Sequence, residues 1–167
     1  MENYLEKHLE MQIYCSNLAM NLDELKLSGM SHFFQLQSHD EALHQRRITN
    51  YLLQNSEQIY RKGIEFSFSK KKTGLDCLEE YLEKRTEFLK LTNELCESAM
   101  KNQDHLTYNF YNWFLQDYYE EIDEINTFID KIYLDEKNYF NVNEMMGKRE
   151  DVAVSPVVTP FAPHNFD

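Results

Sequence analysis

Glu41 and His44 stand three residues apart in Glu41-Ala42-Leu43-His44. On a helix, positions i and i+3 lean toward one face, so this carboxylate and imidazole can grip a single metal ion. The same pair has a plainer reading, in which a buried glutamate is ion-paired to an arginine beside a hydrogen-bonded histidine. The wider pattern helps to choose. Gln12, Glu41 with His44, Arg85, and Asp117 with Glu121 each interrupt an apolar stripe near its middle. An unpaired buried charge costs several kcal/mol, so interruptions at similar heights on separate helices point to one shared polar layer. The remaining histidines, His8, His32, His39, His105 and His164, have no ligand-type partner at i+4 and read as surface or packing residues.

Long helices must position these groups. The first spans about Glu2 to Lys26, with Leu5, Leu9, Gln12, Ser16 and Ala19 on its inner line, and Gly29 breaks the chain after it. The second spans about Met30 to Asn55 on Phe34, Gln37, Glu41, His44, Ile48 and Leu52. Residues 64–69 alternate as a strand would, and the connection they belong to is too long for a tight turn; a crossover between the second and third helices fits better. The third helix spans about Leu75 to Lys101 on Leu78, Leu82, Arg85, Leu89, Thr92, Cys96 and Ala99. Asn102-Gln103-Asp104 is a short turn into the fourth, about His105 to Leu134, on Phe110, Phe114, Asp117, Glu121, Ile125 and Phe128. A short fifth helix follows around Val142 to Met146. Residues 1–148 make one helical domain, and the proline-bearing tail 149–167 is expected to be extended or disordered. A helix of about 26 residues is about 39 Å long, and four of them with one long crossover describe an all-α bundle.

The composition agrees. The 167-residue chain has only 4 Gly and 3 Pro, and it is long enough to bury a core without covalent staples. A net charge of -12 repels phosphate backbones, so nucleic acid is not an expected partner. Lys70-Lys71-Lys72 is a short run flanked by acidic helices and reads as a loop. Cys15, Cys77 and Cys96 cannot all pair and lack C-x-x-C spacing, as reduced thiols do. The amphipathic start carries no signal pattern and no apolar run reaches membrane-spanning length, so a cytoplasmic location without membrane partners is expected. Phosphate-binding Gly-rich loops and nucleophile elbows are missing, which removes nucleotide and hydrolase chemistry.

The stretch AMKNQDHLTYNFYNWFLQDYYEEIDEINTFIDKI, from Ala99 to Ile132, resembles the C–D turn and D helix of bacterial non-haem ferritins. HFFQLQSHDEALHQRRITNYL, from His32 to Leu52, resembles their B helix, and MQIYCSNL, from Met11 to Leu18, their A helix. The resemblance implies a ferritin-like four-helix bundle with a long B–C crossover and a short C-terminal fifth helix. By position it makes Glu41, His44 and Glu121 iron ligands, and it places Glu120, Asp117 and Asp40 where the family has a third iron site.

Other positions depart from the family. Gln12 stands at the A-helix glutamate, Arg85 at the C-helix glutamate, Tyr118 at a D-helix glutamine beside the site, and Ala19 at a tyrosine. Two ferrous ions need about four negative charges in a low-dielectric interior. Gln12 and Arg85 remove two, and Arg85 adds a permanent cation. The expectation is that Arg85 takes a metal's place, bridging Glu41 and Glu121, and that the degenerate ferroxidase centre is weakened or lost, with a residual mononuclear site at Glu41, His44 and Gln12 left open. Ala42 replaces the methionine a haem would need, so iron is the expected metal and haem is not expected.

Taken together, the resemblance implies iron storage in a homo-oligomeric cage of twenty-four subunits, with mixing with a catalytic ferritin subunit left open. Two rival functions remain: an active ferroxidase at Glu41, His44 and Glu121, with Gln12 as a neutral ligand and Arg85 pointing away, and a structural or interaction bundle without iron.

Overall fold

The computed structural model describes residues 2–60, 63–135 and 137–150. They form five helices: α1 Glu2–Glu24, α2 Ser28–Gln54, α3 Gly74–Lys101, α4 His105–Leu134 and α5 Asn138–Met146. The predicted bounds agree to within two residues for the long helices, and α5 begins four residues earlier than expected. Contacts divide the described chain into a unit of 2–74 with 139–150, and a unit of 75–138.

Three helix ends share one device. Lys26, Ser56 and Gln103 take left-handed φ values of 64°, 61° and 57°. At each, the following amide reaches back five residues: Leu27 N–H to Leu22 O, Glu57 N–H to Leu52 O, and Asp104 N–H to Ala99 O, at 2.9–3.0 Å. This is a Schellman closure, made without the usual glycine. The expected break at Gly29 is corrected: the chain turns at Lys26, and Gly29 lies buried in the first turn of α2. A Cβ on Gly29 would sit 1.7 Å from the Asn143 carbonyl oxygen of α5, so glycine is needed there for close approach.

In the first unit α1 packs along α2. The α2 line is buried as expected from Phe34 through Gln37, Glu41, His44 and Ile48 to Leu52. The α1 face is corrected by about one residue. Ser16 is exposed and Leu9 and Gln12 are half-buried, whereas His8, Met11, Cys15, Leu18 and Leu22 are buried. Residues 64–69 form no strand. They run beside α1: Phe68 meets the Tyr14 ring at 6.1 Å, the Asn21 side chain brackets the Lys71 backbone N–H (2.6 Å) and C=O (3.3 Å), and Lys70 pairs with Glu24 at 2.6 Å. The Asn21 side-chain amide thus satisfies the Lys71 backbone groups.

The second unit is the α3–α4 pair. Asp104 caps α4, accepting from the Thr107 N–H at 3.0 Å and from its hydroxyl at 2.6 Å. On α3 the buried positions are Cys77, Leu78, Tyr81, Arg85, Phe88, Thr92, Cys96 and Ala99, so Tyr81 and Phe88 take the places expected of Leu82 and Leu89.

Candidate metal centre

In the first unit, three metal-ligating side chains meet inside the α1–α2 pair. Helical spacing aims Glu41 and His44 the same way, and α1 brings His8 to them. His8 and Glu41 are 0% exposed and His44 is 4% exposed. His8 Nδ1 lies 2.6 Å from Glu41 Oε2, and His44 Nδ1 lies 3.7 Å from the same oxygen. An ionised carboxylate only accepts, so His8 Nδ1–H donates this bond. The two imidazole rings stand edge to face with centroids 5.2 Å apart, and Tyr4 lies edge-on to His8 at 4.8 Å. One ligand atom from each of His8, Glu41 and His44 falls within 4.8 Å of the others, the one such group among the described residues. The sequence reading missed His8 because Glu41 is 33 residues away along the chain.

The second unit holds a buried ion pair of its own. Arg85 of α3 is 0% exposed and its Nε lies 2.6 Å from Glu121 Oε2 of α4. Arg85 NH2 donates to Tyr81 Oη at 3.0 Å, and Tyr81 O–H donates to Glu121 at 3.3 Å. The guanidinium carbon lies 4.8 Å from the Tyr118 ring centre, 5.4 Å from Tyr81 and 5.7 Å from Phe88. A cation over a ring face gains up to about 2 kcal/mol when desolvated. Arg85 therefore rests in an aromatic cage against the Glu121 carboxylate.

Gln12 accepts from Gln45 Nε2 at 2.7 Å on the flank of the α1–α2 pair. Asp40 lies 3.8 Å from the Arg149 guanidinium, which also covers the Phe33 ring at 4.8 Å. Asp117 is half-buried. Glu120 is exposed and lines a surface groove with Leu89, Asn93, Leu115, Gln116 and Tyr119. Tyr118 is buried beneath Arg85. Of the tail, residues 151–167 lie outside the described residues.

The family model described as "Ferritin-like domain" matches residues 2–134. The chain belongs to the ferritin-like family. It is similar to a bacterial non-heme ferritin of Staphylococcus haemolyticus, 27% identical over 74% of this chain and 70% of that one. A bacterial non-heme ferritin of Campylobacter jejuni is 24% identical over 78% of this chain and 80% of its own. Among solved structures, the open pore ferritin of Archaeoglobus fulgidus superposes with a TM-score of 0.79 at 22% identity, covering 90% of this chain and 97% of that one. The fold is the all-α ferritin four-helix bundle with a short fifth helix.

For a ferritin, iron is both substrate and cargo, and the donor set can be tested against it. Two ferrous ions call for about four negative charges. The α1–α2 centre contains one carboxylate with two imidazoles. The buried carboxylate of α4, Glu121, is already balanced by Arg85.

Proposed function

We propose that this ferritin is an iron-storage subunit whose rapid di-iron oxidation has been lost. The observation that carries the reading is the buried Arg85–Glu121 pair at 2.6 Å. A ligand carboxylate can hold a ferrous ion only if its charge is available, and here a guanidinium that does not deprotonate takes it. Arg85 stands in for a metal ion at Glu121.

Storage does not require that centre. Iron can be oxidised on a growing mineral or by a catalytic partner subunit in a mixed cage, and acidic side chains such as Glu120 would receive it. Exposed large apolar side chains, among them Leu53, Tyr60, Tyr133, Leu134 and Phe140, suit subunit interfaces, and the reading includes assembly into a cage of twenty-four. No described helix is long and apolar enough to cross a membrane, and the proposed location is cytoplasmic.

The test is aerobic oxidation of ferrous ion, followed by absorbance, alongside iron content per chain after size-exclusion chromatography. The expected result is a cage-sized species that takes up iron slowly. Arg85→Glu, alone and with Gln12→Glu, should speed oxidation. A native rate equal to that of a working ferritin ferroxidase would return the function to enzyme. A small species that retains no iron would leave a structural bundle.

A further inference from the structure

We propose that His8, Glu41 and His44 form a mononuclear site for a divalent transition-metal ion, with His8 as the ligand from α1. This goes beyond the storage reading, since such a site could hold a metal in a chain that stores no iron. It also differs from what the family resemblance implies, which places the α1 ligand at position 12. The structure has Gln12 engaged with Gln45, and it brings His8 to Glu41 instead.

The geometry suits one ion. Zinc and related ions hold imidazole nitrogen and carboxylate oxygen at about 2.0–2.1 Å, which puts adjacent donor atoms about 3 Å apart. The observed separations from Glu41 Oε2, 2.6 Å to His8 and 3.7 Å to His44, lie on either side of that value. Each of these two needs to change by less than an ångström, and the His8 and His44 ligand atoms lie within 4.8 Å of one another. The ion takes the place of the hydrogen between His8 and Glu41, and the His8 proton moves to Nε2, giving the tautomer that ligates through Nδ1.

Charge and donor type decide which ion. One carboxylate and two neutral imidazoles leave a bound divalent ion with a net charge of +1, which a buried site tolerates better than an unneutralised pair of ions. Two nitrogens and one oxygen favour Fe2+, Co2+ and Zn2+ over Mg2+ or Ca2+, which prefer oxygen. Two histidines and one carboxylate leave further coordination positions open to water.

The experiment titrates the full chain, stripped with chelator, with Co2+ under anaerobic conditions. Visible absorption reports coordination and calorimetry the stoichiometry. Expected are one Co2+ per chain and at least tenfold weaker binding in His8→Ala and in Glu41→Gln. His105→Gln, at an exposed position on α4, should bind as the native chain does. Affinity in His8→Ala equal to native, or two ions per chain, overturns the proposal. Should His8→Ala fail to fold, anomalous diffraction from native crystals soaked in Co2+ decides. A peak between the three side chains supports the site, and no peak there overturns it. A chain that binds one Co2+ yet retains no iron would end the storage reading and leave this one standing. Iron storage with Co2+ affinity indifferent to His8 would do the reverse.

Discussion

Glu41 on α2 and Glu121 on α4 are both buried glutamates on long helices, and their charges are met in opposite ways. Glu41 faces two imidazoles, groups that can be neutral or charged and can give way to a metal. Glu121 faces a guanidinium that is always charged, held by Tyr81 and surrounded by three rings. The first arrangement is adjustable and the second is fixed. On the proposed reading, one helix pair offers a place where a cation would come and go, whereas the other carries a permanent cation in Arg85.

The sharpest way to break this comparison is to remove each carboxylate in turn from metal-free protein. Glu121→Ala leaves Arg85 charged and buried with its principal counter-ion gone, which costs about 3–5 kcal/mol. Replacing both partners with apolar residues, Arg85→Met with Glu121→Leu, should recover most of that loss, because a buried ion pair often adds little over good apolar packing. Urea unfolding of the three chains checks this. If Glu121→Ala matches the native midpoint, Arg85 is not held by that pair.

Glu41→Gln should cost less, about 1–3 kcal/mol. Neutral imidazoles can change tautomer and bond the new amide, whereas Arg85 has no neutral form to retreat to. An equal loss at the two glutamates would mean that the histidines around Glu41 are charged, and that the contrast between the two regions is wrong.

How much of this could be read from sequence follows the physics of each helix. The α2 line through Glu41 and His44 was legible because a single apolar stripe runs along that helix. On α1 two stripes compete one residue apart. The line Leu5–Leu9–Gln12–Ser16–Ala19 is buried only at Leu5 and Ala19, whereas the more apolar line His8–Met11–Cys15–Leu18–Leu22 is buried throughout. That richer stripe was the available signal for His8. The partners of Arg85 were half legible: Tyr81 and Phe88 lie at i−4 and i+3 from it and so share its face, but Leu82 and Leu89 fit the apolar pattern equally well. The crossover at 64–69 was legible from its length, because alternation alone names no strand partner, and just beyond it the Asn21 side chain of α1 bonds the Lys71 backbone.

Cysteines report on the two regions separately. Cys15 lies on α1, while Cys77 and Cys96 lie on α3, and all three are buried free thiols. Burial pushes the Cys96 thiol up to about 11 from 9.0. The folded pKa is the higher one, so the unfolded chain loses this proton first as pH rises. Stability from Cys96 is therefore complete below about pH 9 and declines as pH rises toward 11. At pH 8 a thiol reagent should leave native Cys96 unlabelled, with peptide mass spectrometry identifying the sites. Glu121→Ala should raise labelling at Cys77 and Cys96 more than at Cys15, and Glu41→Gln should do the opposite. Equal labelling in both variants would mean that the two helix pairs open together.

The smallest expected effect comes from a carboxylate in water, and it sets the scale for the buried two. Asp104 caps α4, and hydrogen bonds from the Thr107 side chain and backbone hold its carboxyl below the usual 3.8. The folded pKa is the lower one, so the cap's stabilisation is present at neutral pH and fades as pH falls below about 4 through the folded value. Asp104→Asn can still accept a hydrogen bond from the Thr107 amide, so it should unfold near the native midpoint at pH 7 and lose the acid sensitivity. Asp104→Ala should lower the midpoint slightly and fray the start of α4, seen as faster amide exchange at Leu106 and Thr107. Both effects should be well below that of Glu121→Ala, since solvent can replace what Asp104 provides and cannot reach Arg85. Asp104→Ala as damaging as Glu121→Ala would mean that desolvation is not what separates these carboxylates.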